Sequence, residues 1–119
     1  MANKPTSFSV YGAGSWGTAL ALQLARNDID VQLWGHKHDA LERYNTAREN
    51  TDYLPGVSFP DTLKCNSDIE SLVAHSNYQL IVVPSHGFRQ LLEQLKPLLT
   101  EQHKVLWATK GLELSLIHI

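Results

Sequence analysis

The chain has 119 residues, 43% hydrophobic and 18% charged, a composition typical of one globular domain and unlike that of a disordered segment. Its formal net charge of −2 gives no electrostatic basis for binding nucleic acid or an anionic membrane surface. Its single cysteine excludes an intrachain disulfide, and it shows neither a signal-peptide pattern nor an apolar run of the ~20 residues that a membrane-spanning helix needs.

The first part of the chain predicts a strand, a helix, a second strand and a second helix. Residues 8–11 form an apolar-rich run that ends at a glycine, and the leucines and alanines of residues 16–26 have the spacing of a helix packed on one side. Residues 31–34 are again apolar-rich and predict a strand. A charged helix is expected at about residues 39–49.

The rest of the chain continues this alternation. The expected elements are a loop at residues 50–60, a strand near 63–65, a helix at 68–73 with Ser67 or Asp68 as its N-cap, a strand at 80–83, a helix at 87–99 and a strand at 105–108. Alternating strands and helices form a parallel sheet with helices on both faces. The predicted fold class is therefore α/β, a truncated Rossmann-type doubly wound, mainly parallel sheet, with any ligand at the carboxyl ends of its strands.

A glycine fingerprint lies between the first strand and the first helix. The sequence GAGSWG at residues 12–17 matches G-x-G-x-x-G in the strand-to-helix context that the pattern requires. Gly12 permits a tight turn, Gly14 lets a pyrophosphate approach the backbone, and Gly17 lets the helix pack on the sheet. The helix N-terminus adds free N–H groups and the positive end of its dipole. The pattern predicts a dinucleotide site, and an ordinary structural turn is the alternative.

The end of the second strand bears on the choice of cofactor. A site for NAD usually has Asp or Glu there to bond the ribose 2′-hydroxyl. This chain instead reads WGHKH at residues 34–38, and its first carboxylate comes only at Asp39. Lys37 can face a 2′-phosphate, which favours NADPH over NADH, while a solvated basic turn is the alternative.

Five segments in order along the chain carry a resemblance to a known family. They are GAGSWGTALA at 12–21, LWGH at 33–36, NTDYLP at 50–55, VVPSH at 82–86 and ATKGLE at 108–113. On these segments the chain resembles the bacterial NAD(P)-dependent glycerol-3-phosphate dehydrogenases. The resemblance implies reduction of dihydroxyacetone phosphate to sn-glycerol 3-phosphate for phospholipid synthesis, and it is compatible with a homodimeric parent enzyme. The single cysteine and the lack of a signal-peptide or membrane-spanning pattern predict a cytoplasmic location without membrane insertion.

The resemblance also implies roles for individual residues. Those expected to contact the cofactor are Gly12, Gly14, Ser15, Trp16, Gly17, His36, Lys37, Tyr53 and Lys110. Trp16 can alternatively cover the edge of the sheet. Lys110 resembles a lysine that also contacts the substrate, and its ammonium group suits the negative charge that develops on a ketone oxygen during hydride addition. A surface lysine before a turn glycine is the alternative for Lys110.

Three other side chains receive weaker predictions. Ser85 is expected to cap the helix that follows, where it can also face the nicotinamide. His86 is expected to be a surface histidine rather than a general acid or base. Cys65 has no basic neighbour in sequence and is expected to be a buried structural cysteine, and the scattered histidines predict no metal site.

The predicted domain organisation follows from the resemblance. Residues 1–113 are expected to form an incomplete NAD(P)-binding domain, whereas family members have a second, helical domain with the lysine that relays the proton. No catalytic residue is therefore expected here, and the chain alone should have little or no dehydrogenase activity. Residues 114–119 depart from the family and are interpreted as an apolar, exposed tail of non-native origin.

Two alternative functions remain open at this point. Another Rossmann reductase, acting on a 2-oxo acid or a sugar nucleotide, would share the glycine fingerprint. A nucleotide-sensing module without chemistry would bind the cofactor, but it would not need a lysine aimed at a substrate carbonyl. Lys110 therefore distinguishes the enzyme from the sensor.

Overall fold

A computed structural model describes residues 5–109 and 113–117 of the chain. Its strands are β1 (Ser7–Tyr11), β2 (Asp30–Trp34), β3 (Leu63–Cys65), β4 (Tyr78–Ile81), β5 (Lys104–Thr109) and β6 (Glu113–Ile117). Its helices are α1 (Ser15–Ala25), α2 (His38–Ala47), α3 (Ile69–His75) and α4 (Ser85–Leu95). None of the described helices is both long enough and apolar enough to cross a membrane.

The strands form one sheet in the order β3-β2-β1-β4-β5-β6. The five strands from β3 to β5 pair in parallel, and only β6 is antiparallel to its neighbour. The direction of winding reverses at β1, which pairs with β2 on one side and β4 on the other. This reversal opens a crevice beyond the carboxyl end of β1, where ligands bind in sheets of this kind.

Helices cover both faces of the sheet, because successive side chains of a strand point to opposite faces. Val10 packs into a cluster with the buried side chains of α1 and α2, whereas the next residue, Tyr11, packs into a second cluster with those of α3 and α4. Both residues are fully buried. The predicted doubly wound, mainly parallel fold is confirmed.

A buried polar network ties the centre of the sheet to α3. The Tyr11 hydroxyl donates to Oε1 of Gln79, and Nε2 of Gln79 donates to the carbonyl oxygen of Ser76 at 2.6 Å. The Ser9 hydroxyl donates to the carbonyl oxygen of Leu72. Burial raises the pKa of Tyr11, so its phenol is a neutral donor in this network.

Some predicted element bounds were wrong. The strand expected at 80–83 is β4, which begins two residues earlier and ends at Ile81. The pattern of apolar residues did not predict the start of β4, because Gln79 is polar. Its side chain can be buried there because its polar atoms are hydrogen-bonded. The predicted cap by Ser85 was also wrong, since Pro84 is the N-cap of α4 and Ser85 is its first residue. The alternative N-cap Asp68 is confirmed for α3, where its side chain accepts from the backbone of Glu70.

The strand β6 was not predicted. Residues 113–117, expected to belong largely to an exposed tail, pair antiparallel with β5 from Val105↔Ile117 to Thr109↔Glu113. Their alternation of polar and apolar residues suits a strand. The non-native origin of residues 114–119 stays a prediction. Lys110 lies outside the described residues.

The buried position of Cys65 gives a first testable prediction. Its side chain is only 7% exposed at the end of β3, and burial raises the pKa of its thiol to about 12. Because the thiolate is the reactive form, a thiol with so high a pKa reacts very slowly near neutral pH. We expect Ellman's reagent to modify the native chain very slowly at pH 8 and to titrate one thiol per chain in guanidinium chloride.

The matched control places a cysteine on the surface by Ser58→Cys, at an exposed loop position. This variant should react fast with one thiol equivalent while Cys65 remains protected. Equal reaction rates for Cys65 and the introduced cysteine in the folded Ser58→Cys variant would show that β3 opens readily and is not part of a stable core.

Candidate functional site

A cleft of about 440 Å³ lies at the carboxyl ends of β1, β2 and β4. Its walls are formed by residues 12–17 and 34–37, by Ala40, Leu41, Tyr44 and Tyr53, and by residues 82–84 and His86. The structure therefore brings together eight of the nine residues predicted to contact a cofactor. The ninth, Lys110, lies outside the described residues.

Two glycines of the fingerprint are required by the backbone itself. Gly12 has φ +123°, and a Cβ added there would lie 2.7 Å from the carbonyl oxygen of Val82. A Cβ added at Gly17 would lie 1.7 Å from the carbonyl oxygen of Gly12. Only glycine at both positions lets β1 turn directly into α1 beside the end of β4.

Gly14 differs from its two neighbours in the fingerprint. A Cβ added at Gly14 would meet no heavy atom within 4 Å, and its φ of −82° suits any residue. Neither packing nor backbone geometry accounts for a glycine at this position. Gly14 is also the N-cap of α1, and no side chain caps the helix there or places a carboxylate in its first turn. The first-turn N–H groups and the helix dipole therefore suit an anion that approaches the bare backbone at this point.

The loop at residues 50–60 contributes Tyr53 to the wall of the cleft, and Asn50 attaches this loop to the fingerprint. The Asn50 side chain is fully buried, and its Nδ2 donates to the carbonyl oxygen of Ala13 and to the Thr18 hydroxyl, both at 2.9 Å. Its Oδ1 accepts from the backbone N–H groups of Asp52 at 3.2 Å and Tyr53 at 3.0 Å. One amide thus joins the loop, the glycine turn and α1.

Ser15 and Tyr53 make a second connection between the helix and the loop. The Ser15 hydroxyl donates to the carbonyl oxygen of Tyr53 at 2.9 Å. Tyr53 is 51% exposed at the rim of the cleft, which is a large exposed fraction for an aromatic residue. Hydrogen bonds of its backbone groups hold it in place. In this arrangement Ser15 supports the wall, and Tyr53 presents an aromatic surface to whatever enters the cleft.

Trp16 combines the two roles that its position in the sequence allows. Its ring is half-buried, packs against the cluster beneath α1 and lines the cleft. Its Nε1 is shielded from solvent and has no hydrogen-bond partner among the described residues. A buried indole N–H without an acceptor is costly, and no group among the described residues offsets that cost.

Basic side chains lie at the rim where β2 ends. His36 and Lys37 are exposed there, and Lys37 is the N-cap of α2. Lys37 also borders a neighbouring hollow of about 400 Å³, whose other lining residues are His38, Asp39, Ala40 and Arg43. Lys37 and Arg43 therefore bring positive charge to this rim beside the Asp39 carboxylate, although the chain as a whole is negative.

A carboxylate of the loop engages this rim from the outside. Asp52 accepts from Nη2 of Arg43 at 3.0 Å and from the Tyr44 hydroxyl at 2.7 Å. These hydrogen bonds lower the pKa of the Asp52 carboxyl, with the first contribution from Arg43. The sequence predicted no role for Asn50, Arg43 or Asp52. A signal was present for Asn50, because Asn at the start of a loop commonly accepts from the N–H groups that follow it.

The side chains considered for acid–base or metal chemistry are placed as follows. His86 is exposed and borders the cleft, as expected for a surface histidine. Cys65 is buried away from the cleft walls. Over residues 5–109 and 113–117, no group of three or more His, Cys, Asp or Glu residues is placed to hold a metal ion.

Comparison with known proteins identifies a family. A family model described as "NAD-dependent glycerol-3-phosphate dehydrogenase N-terminus" matches residues 7–118. The glycerol-3-phosphate dehydrogenase (NAD(P)+) of Mannheimia succiniciproducens is 45% identical over 113 residues, which are 95% of this chain and 34% of that protein. Its counterpart in Actinobacillus pleuropneumoniae serotype 5b is 50% identical over 105 residues, or 88% of this chain and 31% of that protein. The chain thus spans about a third of the length of the curated relatives it matches.

Solved structures of similar proteins have the same fold. A crystal structure of glycerol-3-phosphate dehydrogenase from Coxiella burnetii gives a TM-score of 0.84 with 39% identity, over 90% of this chain and 33% of that chain. The glycerol-3-phosphate dehydrogenase of Saccharomyces cerevisiae gives a TM-score of 0.80 with 28% identity, over 92% of this chain and 35% of that chain.

The Asn50 amide gives the prediction of this section. In Asn50→Asp the side chain keeps its shape but places a carboxylate oxygen against the carbonyl oxygen of Ala13, where an N–H group donated before. We expect the free energy of unfolding at pH 7 to fall by roughly 2–3 kcal/mol or more, because the second carboxylate oxygen is buried against the Ala13 carbonyl oxygen with no donor between them. Urea denaturation followed by circular dichroism measures the change.

The matched control is Asn77→Asp, the same chemical change at an exposed position. It should alter the free energy of unfolding by less than about 0.5 kcal/mol. If the two variants were equally stable, the Asn50 amide would not be the contact that holds the loop on the glycine turn.

Proposed function

The chain belongs to the family of NAD-dependent glycerol-3-phosphate dehydrogenase N-terminal domains, and from that premise we propose that its cleft binds a nicotinamide dinucleotide, NADPH or NADH. The observation that carries this proposal is Gly14. Its missing side chain leaves open space beside the uncapped start of α1, where the fold has no need of glycine but a pyrophosphate does.

The residues of the cleft fit a dinucleotide along its whole length. Gly12, Gly14 and Gly17 form the turn beneath the pyrophosphate, and Ser15 and Tyr53 close it from the loop side. Trp16 adds an unpartnered N–H group and an apolar face. His36 and Lys37, at the end of β2, hold the adenosine ribose, and the absence of a carboxylate before Asp39 favours a 2′-phosphate and hence NADPH.

We propose that the protein reduces dihydroxyacetone phosphate to sn-glycerol 3-phosphate. The bound cofactor supplies the hydride to the substrate carbonyl carbon. Lys110, which follows β5 in the sequence, contacts both cofactor and substrate, and its ammonium group stabilises the developing charge on the ketone oxygen. The proton relay and most contacts to the substrate phosphate belong to a second domain, as the resemblance implies. Residues 1–113 are the cofactor-binding part of this arrangement.

The cellular role follows from the same proposal. Reduction of dihydroxyacetone phosphate supplies the backbone of phospholipids, and we place this activity in the cytoplasm. A homodimeric parent enzyme is compatible with the family resemblance.

Cofactor binding is tested by titrating the purified chain with NADPH and, separately, with NADH, followed by nicotinamide fluorescence or calorimetry. We expect saturable binding that is tighter for NADPH. Gly14→Val should weaken binding of both by roughly tenfold or more, because its side chain fills the phosphate approach. The thermal midpoint should fall only modestly, because a Cβ at this position meets no heavy atom of the fold within 4 Å, although Val is a poorer N-cap than Gly.

Gly17→Val serves as the contrasting variant, since its side chain would overlap the Gly12 carbonyl group and should prevent folding. Wild-type affinity in Gly14→Val would contradict the placement of the pyrophosphate. Failure of the folded wild-type chain to bind either cofactor would overturn the proposed function.

The role of Lys110 is tested in a protein extended by the second domain of a relative. We expect oxidation of NADPH that depends on dihydroxyacetone phosphate, and a fall in kcat/KM of about 10²-fold or more in Lys110→Met, as is typical when a group that stabilises an oxyanion is removed. Lys64→Met, at an exposed position of β3, is the matched control and should leave kcat/KM unchanged. Equal kcat/KM values for the two variants would contradict the proposed contact between Lys110 and the substrate.

A further inference from the structure

Two basic side chains at the rim beside the end of β2 are already paired with carboxylates. His38 pairs with Glu42 through Nε2 and Oε1 at 3.1 Å, and Arg43 pairs with Asp52 at 3.0 Å. Lys37 has no ion-pair partner among the residues that the structure describes. Of the lysine and arginine side chains that border this hollow, Arg43 is paired and Lys37 is not, and the Asp39 carboxylate lines the same hollow.

Arg43 is placed to reach an anion at this rim. Lys37, Ala40 and Arg43 follow one another at intervals of three residues, so they lie along one face at the start of α2 and line the same hollow. Lys37 and Ala40 also line the glycine cleft, which makes the two spaces neighbours. The Arg43 guanidinium group presents planar donors suited to a phosphate, but two of its nitrogens already face Asp52, at 3.4 and 3.0 Å.

Asp52 is itself held firmly in this position. Its carboxylate accepts from the Tyr44 hydroxyl, and its backbone N–H donates to the buried Asn50 amide. The acid group is therefore fixed by the same contact that fixes the loop. Both members of the ion pair remain partly exposed, with 57% of the Arg43 and 41% of the Asp52 side chain accessible. An incoming phosphate can therefore compete with Asp52 for the guanidinium group.

We propose that Asp52 is a specificity-determining residue, which weakens recognition of a cofactor 2′-phosphate by occupying Arg43 and by placing a negative charge beside Lys37. This inference rests on the proposed function. NADH lacks the 2′-phosphate, so its affinity does not depend on the Arg43–Asp52 pair. Asp52 therefore changes the affinity for NADPH relative to that for NADH. The loop that closes the cleft thereby also adjusts the choice of cofactor.

The test is Asp52→Asn, which keeps an oxygen to accept from Tyr44 but removes the charge that holds Arg43. We expect the Kd for NADPH to fall about two- to fivefold, the range of one exposed charge pair, with the Kd for NADH unchanged. The gain should shrink at high salt, since the freed charges are exposed. It should also shrink in an Arg43→Ala background, where no guanidinium group is released.

The control Asp61→Asn makes the same change of net charge at an exposed position before β3 and should leave both Kd values unchanged. Equal changes of both Kd values in Asp52→Asn, no change, or a weaker NADPH complex would each overturn the inference while leaving the proposed function intact. If the folded wild-type chain bound neither cofactor, the proposed function would fail, and the inference with it.

Discussion

The buried amide of Asn50 is the contact on which the shape of the cleft depends. A side-chain amide costs free energy when it is buried unless its donors and acceptor are satisfied, and here they are satisfied by groups from the glycine turn, α1 and the loop itself. These three segments therefore form one unit rather than a rigid turn beside a free loop. The exposed Tyr53 and the Asp52 carboxylate hold defined positions because they follow Asn50 within this unit.

The glycine turn sets what can be built around that amide. At Gly12 and Gly17 the backbones of β1, α1 and the end of β4 approach more closely than any side chain permits. The Ala13 carbonyl, between them, is thereby presented to Asn50. Gly14 lies in the same turn but faces open space, so the tight packing that fixes the turn also leaves its outer side bare. Rigidity and access arise from the same few residues.

Local patterns predicted most of the fold, since the apolar strands, the helix spacing and the glycine fingerprint are encoded in short segments. They failed where long-range contacts decide. Gln79 is polar yet central to β4 because of its partners on β1 and α3, and β6 depends on the free edge of β5. The residues of the site were predictable as far as the fingerprint and the family resemblance reached. The contact of Arg43 with Asp52 was not, because it joins a helix to a loop whose path no periodicity specifies.

The electrostatics of the rim show why the net charge of a chain predicts little about one site. A chain of net charge −2 places Lys37 and Arg43 beside the end of β2, and Arg43 is balanced by the Asp52 carboxylate at contact distance. At such distances a single carboxylate affects the local potential more than the remaining charges do, because salt screens exposed charges that are more than about 10 Å away. The positive charge available at this rim therefore depends on whether Arg43 is already paired. Since Asp52 belongs to the loop fixed by Asn50, packing at the glycine turn and charge at the rim are coupled through one short segment.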